Sequence, residues 1–254
     1  MRQVFIILVI AFLIGFFARE PAGAITFTGS SGNLAASADF SASGTDLVVV
    51  LTNTSVFDVL TPSDVLMAVF FDIDGVGSLT PGSALLTGGS TVFFGPDGGG
   101  NVGGEWAYAS GLVGAPAGAT EGISSSGFGL FGNANFGGSN LDGPTAVNGG
   151  NYGITSAGDN TATGNAEVTG NVPLIKNEVT FTLSGLPPGF DPEDPTNITN
   201  VSFQYGTALG GSPPQPCLGS CQPPIVPEPS SLVLLGSGLL IGTMVIRRKW
   251  VGRG

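Results

Sequence analysis

Two apolar segments, one near each end of the 254-residue chain, limit where a globular domain can form. Residues 4–17 read VFIILVIAFLIGFF, and residues 232–246 read LVLLGSGLLIGTMVI. Both are shorter than the roughly 20 residues of a typical membrane-spanning helix, yet both are apolar enough to enter a bilayer. Residues 25–209, between them, have the length of one ordinary domain, so we expect a single globular body.

The N-terminal segment has the order of a secretory signal peptide. Arg2 precedes the apolar run, and the small residues Ala22, Gly23 and Ala24 follow it. We predict export through the Sec translocon and cleavage after Ala24, which removes residues 1–24. An uncleaved N-terminal anchor is the alternative, but the apolar run is short for a span.

The body has the period-two hydrophobic pattern of β-strands. Residues 38–43, 179–183 and 201–205 alternate apolar with polar side chains, which predicts half-buried strands. Residues 47–51 and 65–71 are apolar at every position, so we expect strands covered on both faces. A predicted turn at residues 43–45 should join the strands on either side of it as a hairpin. Residues 95–170 are rich in glycine, asparagine and serine, which indicates short strands joined by long loops. Together these patterns predict an all-β fold, an antiparallel β-sandwich or jelly-roll-like single domain.

The body is strongly acidic. Residues 25–226 contain 16 acidic residues and one basic residue, Lys176, for a formal charge of −15. Nucleic-acid binding is excluded as a function, because phosphate contacts need a basic surface. Divalent cations could bridge such a surface to anionic polymers.

Few residues suit catalysis. The chain has no histidine, which excludes a histidine triad and histidine-based metal sites. We predict no catalytic residues, metal site or cofactor, and a carboxylate glycosidase is the remaining enzymatic alternative. Asp72 and Asp74 precede Gly75 as in a calcium loop. However, Val76 occupies the third expected oxygen-ligand position and Ser83 stands where a bidentate glutamate is required, which favours an ordinary strand-ending turn.

Short polar motifs add two more predictions. Cys217 and Cys221 are the only cysteines, and in an exported chain we predict that they form an intramolecular disulfide. Pairing with another chain and a redox pair are the alternatives. Three matches to the glycosylation acceptor pattern, at Asn53, Asn197 and Asn200, are interpreted as strand ends and turns.

The C-terminal end has three parts in a fixed order. Residues 210–225 form a proline-rich linker, which favours an extended spacer. Val226, Pro227, Glu228 and Pro229 follow, then the apolar residues 232–246 as a predicted transmembrane helix. A basic cluster comes last and should stay in the cytoplasm, leaving the body in the periplasm. The cluster consists of Arg247, Arg248 and Lys249.

This arrangement resembles the PEP-CTERM proteins of Gram-negative bacteria over residues 226–254. The resemblance implies recognition by exosortase, a membrane-embedded cysteine protease or transpeptidase, with processing near Pro227, Glu228 and Pro229. It also implies association with exopolysaccharide and the biofilm matrix. The opening of the body, residues 27–71, more weakly resembles other exosortase-dependent surface proteins. A plain C-terminal membrane anchor on a proline-rich stalk is the alternative.

We therefore expect a noncatalytic surface or matrix protein, held in the inner membrane before processing. The alternative is a carbohydrate-binding or calcium-dependent adhesion module, in which aromatic side chains stack on sugar rings. Its candidate residues, which could equally fill the core, are Trp106, Tyr108 and Tyr152.

Overall fold

The described residues of the chain, seen in a computed structural model, are 23–131, 139–140 (backbone only) and 151–209. They form two β-sheets with a shared apolar core. The predicted β-sandwich is therefore confirmed. No helix within these residues has the length and hydrophobicity needed to cross a bilayer, and the predicted transmembrane residues 232–246 lie outside them.

Within the described residues, thirteen strands make up the two sheets. In chain order they are β1 (Ala24–Ser31), β2 (Leu34–Ser43), β3 (Asp46–Asn53), β4 (Leu66–Ile73), β5 (Thr80–Leu86), β6 (Thr91–Phe93), β7 (Ala107–Ser110), β8 (Glu121–Ser124), β9 (Ser139–Asn140), β10 (Gly153–Thr155), β11 (Leu174–Lys176), β12 (Glu178–Ser184) and β13 (Ile198–Tyr205). Short helical turns occupy Pro62–Asp64, Gly98–Gly100, Gly103–Glu105, Pro116–Gly118 and Glu167–Asn171.

The first sheet is antiparallel throughout, in the order β1-β2-β3-β12-β5. Two-residue turns join β1 to β2 and β2 to β3, and each begins with a glycine, Gly32 at φ 58° and Gly44 at φ 67°. Only glycine adopts such angles readily, and they match the twist of a tight hairpin. The predicted hairpin and its turn at residues 43–45 are therefore confirmed.

The second sheet is built around β4. One edge of β4 pairs with β13, and the other pairs with β8 and, at Leu66, with β10. The full order is β6-β11-β10-β4-β8-β7-β9, with β13 beside β4. Pairing is antiparallel except between β10 and β11, so the predicted short strands in residues 95–170 extend a mixed sheet.

Aromatic side chains fill the space between the sheets. Phe40 of β2 makes edge-to-face contacts with Phe27 and with Phe71 of β4, at ring-centroid distances of 5.7 and 5.2 Å. Trp106 packs on Phe181 of β12 at 4.9 Å. Aromatic pairs of this geometry contribute roughly 0.5–1.5 kcal/mol beyond their buried area.

Burial of the sheet faces differs from the prediction at two strands. Strand β4 is buried on both faces, as expected, with Val69 toward the main core and Phe70 in a second cluster. Strand β3 is covered fully on one face only, since Val48 and Val50 are half-buried. In β13, Ser202 and Gln204 are buried rather than exposed, because residues on their face of the sheet form the second cluster, which includes Leu112, Ala115, Ala119 and Phe131.

Candidate functional site

Most of the predicted processing residues lie outside the described part of the chain. Only Ala24 falls inside it, where it begins β1 and pairs with Ser41. The residues outside are Ala22, Cys217, Cys221, Val226, Pro227, Glu228, Pro229, Arg247, Arg248 and Lys249. Signal cleavage, the disulfide and the basic membrane stop therefore remain predictions.

The three aromatic residues considered for sugar stacking are all buried. Trp106 is fully buried, Tyr108 is 4% exposed and Tyr152 is 7% exposed. All three belong to the core cluster between the sheets. Their assignment to a sugar-binding surface is wrong, because their ring faces pack inside the protein.

Asp72 is the second-last residue of β4, and Asp74 lies in the strand-ending turn that follows. Asp72 accepts hydrogen bonds from the main-chain N–H of Thr120 at 2.6 Å and from its Oγ1 at 2.8 Å. The side-chain amide of Asn200 donates to the other oxygen of Asp72. Within the described ranges, no group of three or more acidic or cysteine side chains is arranged to hold a metal ion. The carboxylate of Asp72 instead connects the end of β4 to β13 and to the residue that precedes β8.

Glu121 and Tyr108 form a buried polar pair that the sequence did not reveal. Their main chains lie on adjacent strands, β8 and β7, and Glu121 is 7% exposed. The Tyr108 hydroxyl donates to a Glu121 carboxylate oxygen and accepts from the Leu79 N–H at 3.2 Å. The Tyr108 hydroxyl therefore both donates and accepts a hydrogen bond inside the protein, and one Glu121 oxygen accepts there.

Burial controls the titration of this pair. Desolvation raises the pKa of Glu121, the hydrogen bond from Tyr108 offsets part of that effect, and the nearby Asp72 charge raises the pKa further. Desolvation also raises the pKa of Tyr108, and its hydrogen bond to Glu121 adds to the increase. Perturbed carboxyl pKa values occur at catalytic and at structural sites alike. Here the carboxylate lies in the protein interior and joins two neighbouring strands through the Tyr108 hydroxyl.

Glu105 lies beside this core, on the turn before Trp106. Burial raises the pKa of Glu105, and its charge raises the pKa of Tyr152, although burial of that tyrosine is the larger cause. The Tyr152 hydroxyl donates to the main-chain oxygen of Pro96 at 2.9 Å. Tyr152 and Trp106 therefore hold the loop at residues 96–106 against the sandwich.

Comparison with known protein families finds a match at the C-terminal end. A family model described as the PEP-CTERM protein-sorting motif matches residues 226–249. No curated protein and no solved structure matches the chain significantly. The match covers Val226, Pro227, Glu228 and Pro229 together with the basic cluster, which are the residues predicted for sorting.

Proposed function

We propose that this protein, whose PEP-CTERM motif marks it for exosortase-dependent sorting to the surface of a Gram-negative cell, is a noncatalytic component of the cell surface or extracellular matrix. The sorting motif at residues 226–249 is the observation that carries the proposal. It is attached to a β-sandwich with a dense apolar core. We infer that the β-sandwich body is the part of the protein delivered to the surface, and that its role there is structural.

The charge of the body suits a polysaccharide matrix. A formal charge of −15 over residues 25–226 keeps copies of the protein apart and soluble at low salt. Divalent cations can link its carboxylates to those of an anionic exopolysaccharide. The proposed partner outside the cell is therefore exopolysaccharide, with the biofilm matrix as the location.

The chemistry of sorting lies in exosortase and not in this chain. Pro227 and Pro229 fix their own φ and favour extended backbone around Glu228. We infer that exosortase grips this extended segment at the membrane surface, while residues 232–246 span the bilayer and the basic cluster prevents further export. Cleavage near the motif would then free the body from the inner membrane.

Mass spectrometry of the native C-terminus tests the sorting step. In cells with active exosortase, we expect surface material that lacks Arg247, Arg248 and Lys249, and in exosortase-deficient cells we expect these residues to be retained in the membrane fraction. A Glu228→Ala variant should behave like the deficient strain. The control is Glu193→Ala, which removes an exposed acidic side chain from the body instead. An intact basic terminus in the active strain would contradict the proposal.

A deletion strain tests the matrix role separately. We expect loss of the gene to reduce the exopolysaccharide retained by the cells, and complementation with the wild-type chain to restore it. Complementation with Glu228→Ala should fail if delivery to the surface is required. Unchanged polysaccharide retention in the deletion strain would refute the matrix role and leave the sorting assignment intact.

The candidate binding residues of the adhesion alternative are buried or already hydrogen-bonded. Trp106, Tyr108 and Tyr152 are in the core, and Asp72 is engaged by Thr120 and Asn200. A glycan array with and without calcium still distinguishes the two functions, and specific, saturable binding would favour the adhesion module.

A further inference from the structure

Two loops at one end of the second sheet are joined to each other by hydrogen bonds. They are residues 54–65, between β3 and β4, and residues 156–171, after β10, and we call them the loop platform. Five hydrogen bonds of 2.9–3.2 Å connect them. The donors and acceptors are Ser156 Oγ to Phe57 O, Val59 N to Asp159 Oδ1, Asn160 N to Asp58 Oδ1, Thr163 Oγ1 to Asp58 Oδ2, and Asn165 N to Leu60 O.

Buried contacts with the rest of the protein also hold the loop platform in place. Val59 and Val168, one from each loop, are buried in an apolar cluster with Val65, Met67 and Leu174. Asp159 is itself buried at 5% exposure, and the only basic residue of the body, Lys176, donates to its main-chain oxygen at 2.8 Å. The loops therefore hold a fixed shape, which lowers the entropy that binding would cost.

Apolar side chains are concentrated on the outer surface of this platform. Val56 is 86% exposed, Phe57 is 49% exposed and Leu60 is 50% exposed. In the part of the chain that the structure describes, six large apolar side chains are exposed, and these three lie within five consecutive positions. Scattered exposed apolar residues are ordinary, whereas a cluster marks an interaction surface.

The surroundings of the apolar cluster are acidic. Asp58 lies within it, Asp64 accepts hydrogen bonds from the Leu60 and Thr61 N–H groups, and Glu167 accepts from the Asn165 side chain. The two loop segments contain no lysine or arginine. A partner that covers the apolar side chains must therefore bring positive charge to the edge of the contact.

We propose that the loop platform docks a basic polypeptide segment whose apolar side chains cover Val56, Phe57 and Leu60. A second copy of this chain would bring another body of charge −15 and is disfavoured by repulsion. An anionic lipid surface is disfavoured for the same reason. The contact is small, so its affinity belongs to the weak, transient class.

The test uses the full chain in zwitterionic nanodiscs, immobilised, with empty nanodiscs as the reference surface. The probe is a synthetic peptide of alternating leucine and lysine, and a peptide of alternating leucine and glutamate is its matched control. The Val56→Ser, Leu60→Ser double variant removes the apolar contact. Val113→Ser changes an equally exposed side chain, 87% exposed, on a different loop, and all three proteins should keep the same far-ultraviolet circular dichroism.

We expect saturable binding of the lysine peptide that is weakened by salt, at least about tenfold weaker in the double variant and unchanged in Val113→Ser. Equal binding to wild type and double variant would mean that the body attracts cations without a defined site, and would overturn the proposal. Equal binding of the glutamate peptide would also overturn it. Capture of phosphatidylglycerol vesicles that depends on Val56 and Leu60 would assign the surface to a membrane instead. None of these outcomes bears on exosortase processing.

Discussion

The side-chain amide of Asn53, the last residue of β3, donates a hydrogen bond of 3.0 Å to the main-chain oxygen of Ile154 in β10. The two residues are 101 positions apart and belong to different sheets. Asn53 is 2% exposed, and its Oδ1 accepts from the Ser55 N–H at 3.1 Å. A buried polar side chain with both ends satisfied thus fixes the two sheets relative to each other at this edge.

Replacing Asn53 by alanine should destabilise the fold. The change leaves the Ile154 carbonyl and the Ser55 N–H without their side-chain partner, at an expected cost of about 1–3 kcal/mol in the free energy of unfolding. Urea unfolding followed by intrinsic fluorescence measures it. Asn33→Ala, in the exposed turn between β1 and β2, should stay within about 0.5 kcal/mol of wild type. Equal stability of both variants would show that the inter-sheet bond contributes nothing.

Glu121 should make stability fall as pH rises above its ordinary pKa of 4.5. Because the folded-state pKa of Glu121 is raised, the folded state binds more protons than the unfolded state just above this pH, so raising the pH favours unfolding. Glu121→Gln keeps an acceptor for Tyr108 and should reduce this slope while matching or exceeding wild-type stability at neutral pH. Urea unfolding at several pH values between about 4 and 8 measures how the free energy of unfolding changes with pH.

The control for that experiment is Glu167→Gln, since Glu167 is exposed. Its pH profile should follow the wild type. Identical slopes for Glu121→Gln and wild type would contradict the prediction, and would mean that Glu121 titrates alike in the folded and unfolded states.

Gly164→Ala should loosen the loop platform. Gly164 has φ +109°, and a Cβ there would lie 2.8 Å from the Leu60 carbonyl oxygen and 2.7 Å from Val168 Cγ2. Backbone strain of this kind costs roughly 1–3 kcal/mol, and the loops must also separate. Hydrogen exchange should show reduced protection of the Val59 and Asn165 amides. Gly158→Ala, in the same loop with no atom within 4 Å of the added Cβ, is the control, and equal exchange in both variants would argue against the close approach.

Trp106→Ala should impair folding rather than ligand binding. Removing a fully buried indole that packs on Phe181 leaves a cavity, at an expected cost of about 3–5 kcal/mol. Trp106→Phe keeps an aromatic ring in the core and should cost less. Thermal unfolding followed by circular dichroism ranks the three proteins. Wild-type stability in the alanine variant would contradict the core position of Trp106.

Local patterns predicted the strands well. Ala38 and Phe40 are fully buried while Asp39 between them is half-buried, as alternation in a half-buried strand requires. Of the predicted residues 65–71, residues 66–71 lie in the doubly buried β4. The turn after Asp72 and the hairpin at Gly44 also followed from neighbouring residues, because turn geometry depends on the φ angles of a few consecutive positions.

Contacts between distant segments could not be predicted in this way. No local pattern indicated that β12 lies between β3 and β5, or that other residues would cover Ser202 and Gln204. Trp106 and Tyr152 occur in a glycine-rich stretch that suggests loops, and only their position between the sheets shows that they are core residues. The loop platform was likewise missed, since residues 54–65 become a defined surface only through bonds made about 100 positions later in the chain, such as those of Asp58 and Val59.

The sequence by itself determined where this protein is sorted, because the PEP-CTERM motif is a contiguous segment recognised by its linear order of prolines, apolar residues and basic residues. It also determined the all-β class, through the two-residue period of its apolar side chains. Only the tertiary structure decided which polar and aromatic residues are buried and which apolar ones remain outside. Burial depends on the segments that pack over a residue, and these are brought together by folding across a hundred or more positions.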